Sequence, residues 1–300
     1  LLLAAPLAAQ RVPTFTASVE AVYVDVFVTR DGQAVAGLTA ADFEVRDNGV
    51  KQSVALASLE EVPIVAVMVF DASASVAGAR LADLRSAGGA LLDGLRPQDQ
   101  AALVTFSQEV DVAVPQGGDH AAVRRALDRL VPGGQTAVWD GLYAGLKLPV
   151  ARGRPMVVLF TDGDDNLSWL SAEQVLKVAR ESEALVHVVS IVPTLEETVS
   201  SAGVGYRVEA RPSEPARLRI LREIAEVTGG RLWPAAASAQ LGRTFLRILT
   251  EMQSRYLLSY EPTGVAREGW HRLEVKVKGH KGAVRSRSGY FMPPRESARR

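Results

Sequence analysis

The run Ile64-Val65-Ala66-Val67-Met68-Val69-Phe70 contains no polar residue. A strand with one wet face alternates apolar and polar side chains, so a run without alternation marks a strand buried on both faces, as in a parallel sheet covered by helices. Met156 to Phe160 and Leu185 to Val192 repeat the pattern. Helical patterns separate and follow these runs. One spans about Gly78 to Leu95, with Leu81, Leu84, Leu91 and Leu92 as its apolar stripe, and Ala101 to Phe106 reads as a strand after it. Asp119 opens a helix carrying Val123, Leu127 and Leu130, which Pro132-Gly133 ends, and another covers Ala137 to Leu148. Ser171-Ala172-Glu173-Gln174 is a capping box. Ser213, with Pro215 in the first turn, opens a helix ending at Gly229, and a last helix covers Ala237 to Gln253. The order predicts an α/β fold with a doubly wound, mostly parallel sheet.

The flanks have a different texture. Val22, Val24, Val26 and Val28 alternate with Tyr23, Asp25, Phe27 and Thr29, a half-buried strand that Asp31-Gly32 turns into a hairpin. Phe43 to Arg46 stops at Asp47-Asn48-Gly49, a second tight-turn signal, and Val54 to Leu59 is a further strand. After Ser254 the alternation returns in Tyr256 to Tyr260, His271 to Val277 and Ala283 to Tyr290. Each flank is shorter than the ~60 residues at which a lone domain becomes comfortable. The reading is one seven-strand β-sandwich built from residues 11–60 and 255–292, with 61–254 inserted as the α/β domain. Leu1 to Ala9 is small and apolar and reads as the remnant of a secretory signal within 1–10, whereas 293–300 reads as a disordered tail. No later apolar run approaches the ~20 residues of a membrane helix. The expectation is therefore an exported protein, periplasmic or secreted, without a transmembrane segment.

Composition removes several functions. Lys plus Arg and Asp plus Glu are both 34, so the net charge is zero and no global nucleic-acid footprint exists. Arg124-Arg125 and Arg285 to Arg287 lack interleaved aromatics and read as solvated faces. The absence of cysteine excludes disulfide frameworks, thiolate metal sites and thiol nucleophiles. His120, His187, His271 and His280 show no H-E-x-x-H spacing, and no phosphate-binding glycine motif or G-x-S-x-G elbow occurs.

The chemistry gathers where strands end. Ligands of open α/β sheets bind beyond the carboxyl ends of the strands. The first buried strand ends in Asp71-Ala72-Ser73-Ala74-Ser75, the second in Thr161-Asp162-Gly163, and Gly133-Gly134-Gln135-Thr136 precedes a helix. Asp71 with Ser73 and Ser75 also makes a plausible helix N-cap. Taken together, the three loops resemble the von Willebrand factor type A domain and its metal-ion-dependent adhesion site, a Rossmann-like fold, over about Val62 to Gln253. The resemblance implies Asp71, Ser73, Ser75, Thr136 and Asp162 as ligands, the carboxylates binding directly or through water. The segments around Val24 to Gly49, Tyr256 to Pro262 and Arg285 to Phe291 resemble the ends of bacterial exported proteins with a related domain. Two carboxylates with neutral hydroxyls and waters suit octahedral Mg²⁺, and Mn²⁺ also fits. A protein partner's Asp or Glu would complete the shell, which makes the chain a binding module and not an enzyme.

Two other readings stand beside it. One is a metal-assisted phosphoesterase using Asp71; Ser73 occupies the place of its second Asp, and no Lys lies between Lys51 and Lys147. The other is a structural envelope protein with a vestigial site. Asp164 and Asp165 read as a solvated loop, and Asp140 either as a support for the Thr136 loop or as part of a solvated helix face. Trp169, with Tyr206 and Arg207 in the long segment Thr194 to Arg211, are the residue types enriched at binding hot spots. They are the expected partner contacts, the alternative being that Trp169 packs beneath its loop.

Overall fold

The computed structural model describes residues 21–293 except 58–61, 118, 151, 162–164, 192–215, 236 and 280. The expected signal remnant, all but the first residue of the 293–300 tail, Ser213 and Pro215 lie outside them.

Strand β1 (Val22–Arg30) buries every second residue, as its valines dictate. Asp31 and Gly32 then take φ of 51° and 78°, the type I′ turn whose twist suits a two-residue hairpin. The chain pairs back as β2 (Gln33–Ala34). Asn48 and Gly49, at φ 46° and 83°, turn β3 (Phe43–Asp47) into β4 (Val50–Gln52) in the same way. Strand β5 (Ala55–Leu56) ends the N-terminal flank.

The next part alternates helices and strands. Strand β6 (Ile64–Asp71) is buried along its whole length. It is followed by α1 (Ala79–Gly94), β7 (Gln100–Phe106), β8 (Val110–Gly117), α2 (His120–Asp128) and α3 (Val138–Lys147). Then come β9 (Arg154–Thr161), α4 (Ala172–Glu181), β10 (Leu185–Ile191), α5 (Ala216–Val227), β11 (Arg231–Ala235) and α6 (Leu241–Gln253). The six strands form one sheet in the order β11-β10-β9-β6-β7-β8, parallel except at β7–β8. Leu84, Leu91, Leu127, Phe245 and Ile248 cover one face from α1, α2 and α6. Leu142, Val175, Leu221 and Ile224 cover the other from α3, α4 and α5. Strands β8 and β11 were not anticipated, because Pro115 and Pro234 interrupt their patterns. Both are sheet edges, where a residue without an N–H is tolerated.

The C-terminal flank supplies β12 (Tyr256–Tyr260), β13 (Gly269–Val277), β14 (Ala283–Arg285) and β15 (Gly289–Met292). Two antiparallel sheets result, β14-β1-β12-β5 with β2 on β1, and β15-β13-β3-β4. Each mixes strands from both ends of the chain. Val24, Val26, Phe43, Val45, Leu258 and Leu273 share one core between them. The seven strands expected become five N-terminal and four C-terminal ones, partly because Ala283 to Tyr290 divides between the two sheets. Among the described residues antiparallel pairings outnumber parallel ones, and all the parallel pairings belong to the six-stranded sheet.

Polar side chains pin the parts together. In the flank core, Asp47 Oδ2 accepts the hydroxyls of Tyr260 (2.9 Å) and Tyr290 (2.7 Å), and Oδ1 lies 2.8 Å from His271 Nδ1. Burial, ahead of hydrogen bonding, pushes both phenol pKa values upward. At the junction with the six-stranded sheet, Arg154 Nε donates to Asp25 Oδ1 (2.8 Å). Glu251 accepts Arg255 on Oε1 (2.7 Å) and Arg285 on Oε2 (2.5 Å).

Candidate functional site

Strand β6 has β7 on one side and β9 on the other, so the order of connection reverses there. Open sheets form their ligand crevice at such a switch point, beyond the strand ends. Asp71 ends β6 and Thr161 ends β9. Thr161 Oγ1 donates to Asp71 Oδ2 (3.0 Å), while Ser73 N–H donates to Asp71 Oδ1 (2.9 Å) and folds the loop back over the carboxylate. Backbone bonds fix this loop on both sides. Ala72 N–H donates to Phe106 O (2.8 Å), Gly133 N–H to Ala72 O (2.9 Å) and Ala74 N–H to Gly134 O (3.1 Å). The hydroxyl oxygens of Ser73 and Ser75 are 2.9 Å apart. Asp71, Ser73 and Thr136 are buried and Ser75 is exposed, so the donors run from the sheet edge out to solvent.

Thr136 is held from the far side. Its N–H donates to Asn166 Oδ1 (2.9 Å) and its carbonyl accepts Asn166 N–H (3.0 Å). Asp165 Oδ1 accepts Val138 N–H (2.8 Å) and Ser168 Oγ accepts Trp139 N–H (3.0 Å). These satisfy the free N–H groups that open every helix, here those of α3. Asp140 answers from α3, accepting Trp169 N–H (2.9 Å) and Leu170 N–H (3.0 Å). Asp165 is thus a remote cap and not a solvated loop residue, and Asp140 holds the Trp169 loop instead of the Thr136 loop. Helix α3 also sits low on the sheet. A Cβ on Gly141 would lie 2.5 Å from Phe106 Cδ1, and one on Gly145 2.4 Å from Val69 Cγ2. The two glycines therefore set the height of the Thr136 loop above the strand ends.

The structure brings Asp71, Ser73 and Ser75 into contact and ties the Thr136 loop beside them. Asp162 follows Thr161 but lies outside the described residues, as do Tyr206 and Arg207. Without Asp162, no three acidic or histidine side chains converge among the described residues. Trp169 is 94% exposed, which corrects the alternative of packing under its loop. Sequence reasoning missed Asn166 and Ser168, whose partners are 28–30 residues away and leave no local signal. His120 bonds Asp99 O (2.9 Å), and His187 and His271 are buried. A cavity of about 850 Å³ lies at the opposite end of the strands, lined by Pro63, Arg154, Leu185, Tyr23 and Leu257, and has no part in this site. Among the described residues no helix is long and apolar enough to cross a membrane.

Residues 66–164, about a third of the chain, match the family model of the von Willebrand factor type A domain. A UPF0353 protein of Mycolicibacterium paratuberculosis is 28% identical over 188 residues, 57% of this chain and 55% of that protein. An uncharacterised protein of Synechocystis is 29% identical over 110 residues, 35% of this chain and 26% of that protein. The chain thus matches about half of one of these curated relatives and a quarter of the other. The solved structure of a von Willebrand factor type A protein from Catenulispora acidiphila covers 89% of this chain and 76% of its own, with a TM-score of 0.52 at 14% identity. That likeness extends beyond the family match into the flanks and concerns the fold.

Proposed function

We propose that this von Willebrand factor type A domain is a divalent-cation-dependent protein-binding module, with Asp71, Ser73, Ser75, Thr136 and Asp162 holding Mg²⁺ or Mn²⁺. The observation that carries the reading is the 2.9 Å separation of the Ser73 and Ser75 hydroxyl oxygens. Octahedral Mg²⁺, with metal–oxygen bonds of 2.0–2.1 Å, sets adjacent ligands about 2.8–3.0 Å apart, whereas bonds of Ca²⁺ length would spread them to about 3.3–3.7 Å. The two hydroxyls are hydrogen-bonded at 2.9 Å, and they can take two neighbouring positions around the smaller ion without moving apart. Mn²⁺ is served by the same donors. Asp71 supplies the charge, and its bonds from Ser73 N–H and Thr161 Oγ1 fix its orientation.

When bound, the cation supplies positive charge and a replaceable water, which an Asp or Glu of a protein partner would displace. The loops around it suit that role. Trp169 and Val131, 94% and 81% exposed, are the two most exposed large apolar side chains among the described residues. Both stand on loops tied to the candidate ligands, Val131 two residues before Gly133 and Trp169 through Asp140. An exposed aromatic beside a charged centre is the composition of a binding hot spot. Tyr206 and Arg207 belong to the same proposal as contacts. Binding, and not catalysis, is the proposed activity, because His120, His187 and His271 are engaged or buried away from this face. The proposal also takes the α/β part as inserted in the flank sandwich. It places the protein in the periplasm or outside the cell, in keeping with the small apolar stretch Leu1 to Ala9 and the lack of cysteine.

Calorimetry on the full chain tests the site. Mg²⁺ should bind the native protein, more tightly than Ca²⁺. It should fail to bind Asp71→Ala and bind Thr136→Ala more weakly, while circular dichroism stays unchanged in both variants. Undiminished Mg²⁺ affinity in a folded Asp71→Ala protein would overturn the assignment. A partner captured in Mg²⁺ should be released by a chelator.

A further inference from the structure

The other edge of the six-stranded sheet holds a second arrangement, remote from Asp71. Strand β11 places Arg231 and Trp233 two residues apart, on one face of the sheet. Helix α6 lays Arg247 over the same indole. The guanidinium carbon of Arg231 is 4.1 Å from the Trp233 ring centroid and that of Arg247 is 5.3 Å from it. The ring is only 5% exposed, whereas both arginines face solvent. Neither guanidinium has a hydrogen bond or ion pair to a carboxylate or carbonyl among the described residues.

The local charge does not balance. Glu251 is the carboxylate whose charge acts on Arg231, and Arg255 and Arg285 already occupy both of its oxygens. His187, which accepts the Trp233 Nε1–H at 3.1 Å, is buried and adds no charge, because burial pushes its pKa down to about 3. Arg231 and Arg247 thus have no carboxylate partner of their own among the described residues. Desolvation, with Arg285 and Arg247 nearby, lowers the Arg231 pKa, and Glu251 only partly opposes them. The indole orients the two cations through its face but does not neutralise them. Their N–H donors remain free for an oxyanion, and guanidinium forks match such groups.

We propose that the Arg231–Trp233–Arg247 edge binds a phosphate dianion, either inorganic phosphate or the phosphoryl group of a small molecule. A dianion matches the two unpaired guanidinium charges, where a single carboxylate would leave one unmatched. The site is separate from the proposed cation-binding face: it lies on β11 and α6, at the sheet edge away from β6.

The test is calorimetry on the full chain without divalent cation, at fixed ionic strength in chloride. Inorganic phosphate and glycerol phosphate are titrated in separate arms, with acetate as the monoanion. One phosphate arm should bind roughly tenfold or more tightly than acetate, and the tighter arm identifies the source. Arg231→Gln and Arg247→Gln should each weaken that binding by roughly tenfold or more without changing the thermal midpoint, while Arg272→Gln, on β13, should leave it unaltered. The proposal is overturned if neither phosphate binds, if acetate binds equally well, or if Arg272→Gln weakens binding as much as the two β11 and α6 variants.

Discussion

His187 offers a quantitative handle on the packing of β10 against β11 and α6. It has no exposed surface, its Nδ1 accepts the Trp233 indole N–H, and its Nε2 lies 3.8 Å from Glu251 Oε1. Burial is the main force pulling its pKa from 6.5 to about 3; Glu251 pulls it back up, and Arg255 and Arg285 reinforce burial. The folded value lies below the unfolded one, so the unfolded chain takes up the proton first as pH falls. The stabilisation is complete above 6.5 and drains away between 6.5 and about 3. Each unit is worth about 1.4 kcal/mol, so about 2 kcal/mol should be lost by about pH 5 from this residue alone. Urea unfolding at about pH 7.5 and about pH 5 measures it, with the slope m checked for constancy. His187→Gln should lower stability at both pH values but lose about 2 kcal/mol less than the native chain between them. Acidic groups common to both proteins cancel in that difference. Equal losses in the two proteins would refute the reasoning, because a neutral buried imidazole could not then be what the pH opposes.

Gly145→Ala would drive a methyl group to 2.4 Å from Val69 Cγ2 and should cost about 1–3 kcal/mol in chemical denaturation. Gly242→Ala, with open space around it in α6, should be neutral or stabilising by up to about 1 kcal/mol. Asp165→Ala removes the remote cap of α3 and should cost about 1 kcal/mol, with a weakened Mg²⁺ affinity in calorimetry because the Thr136 loop loses part of its support. Asp47→Ala leaves Tyr260, Tyr290 and His271 without their shared acceptor and should destabilise by about 3–5 kcal/mol; a loss below about 1 kcal/mol would show that the bonds do not form in solution.

What the sequence disclosed and what it hid divide along a physical line. The unbroken apolar run of β6 and the alternation of β1 are local periodicities, and so were visible. The Asp31-Gly32 and Asn48-Gly49 turns, the Ser171 capping box and the Asp119 cap are short-range chemistry and were equally visible. Strands β8 and β11 were hidden because only an edge position excuses Pro115 and Pro234, and edges are a property of the finished sheet. The Asp47 cluster joins residues more than two hundred positions apart. Asp165 and Ser168 act on a helix that precedes them by nearly thirty. At the candidate site, D-x-S-x-S was legible because its three donors share one loop. Asn166, which holds Thr136, was not, because nothing in N-L-S-W announces its partner.

Connectivity also explains why the proposed cation-binding face stands clear of the described flank strands. The chain enters the six-stranded sheet at the start of β6 and leaves it at the end of α6. A helix following a parallel strand runs back toward the strand starts, so entry and exit lie at the same end. Flank strands emerging there must assemble there, and the contacts agree. Arg154, at the start of β9, reaches Asp25 on β1. Arg285, on β14, reaches Gly230 O just before β11 and Glu251 near the end of α6. The opposite end, with Asp71, Ser73, Ser75 and Thr136, carries no flank strand among the described residues. The order of the segments alone therefore keeps the described flank strands off the proposed binding face, and it fixes the two ends of the sheet in different roles: one anchored to the flanks through arginine–carboxylate bonds, the other carrying the Asp71, Ser73 and Ser75 oxygens and the exposed Trp169.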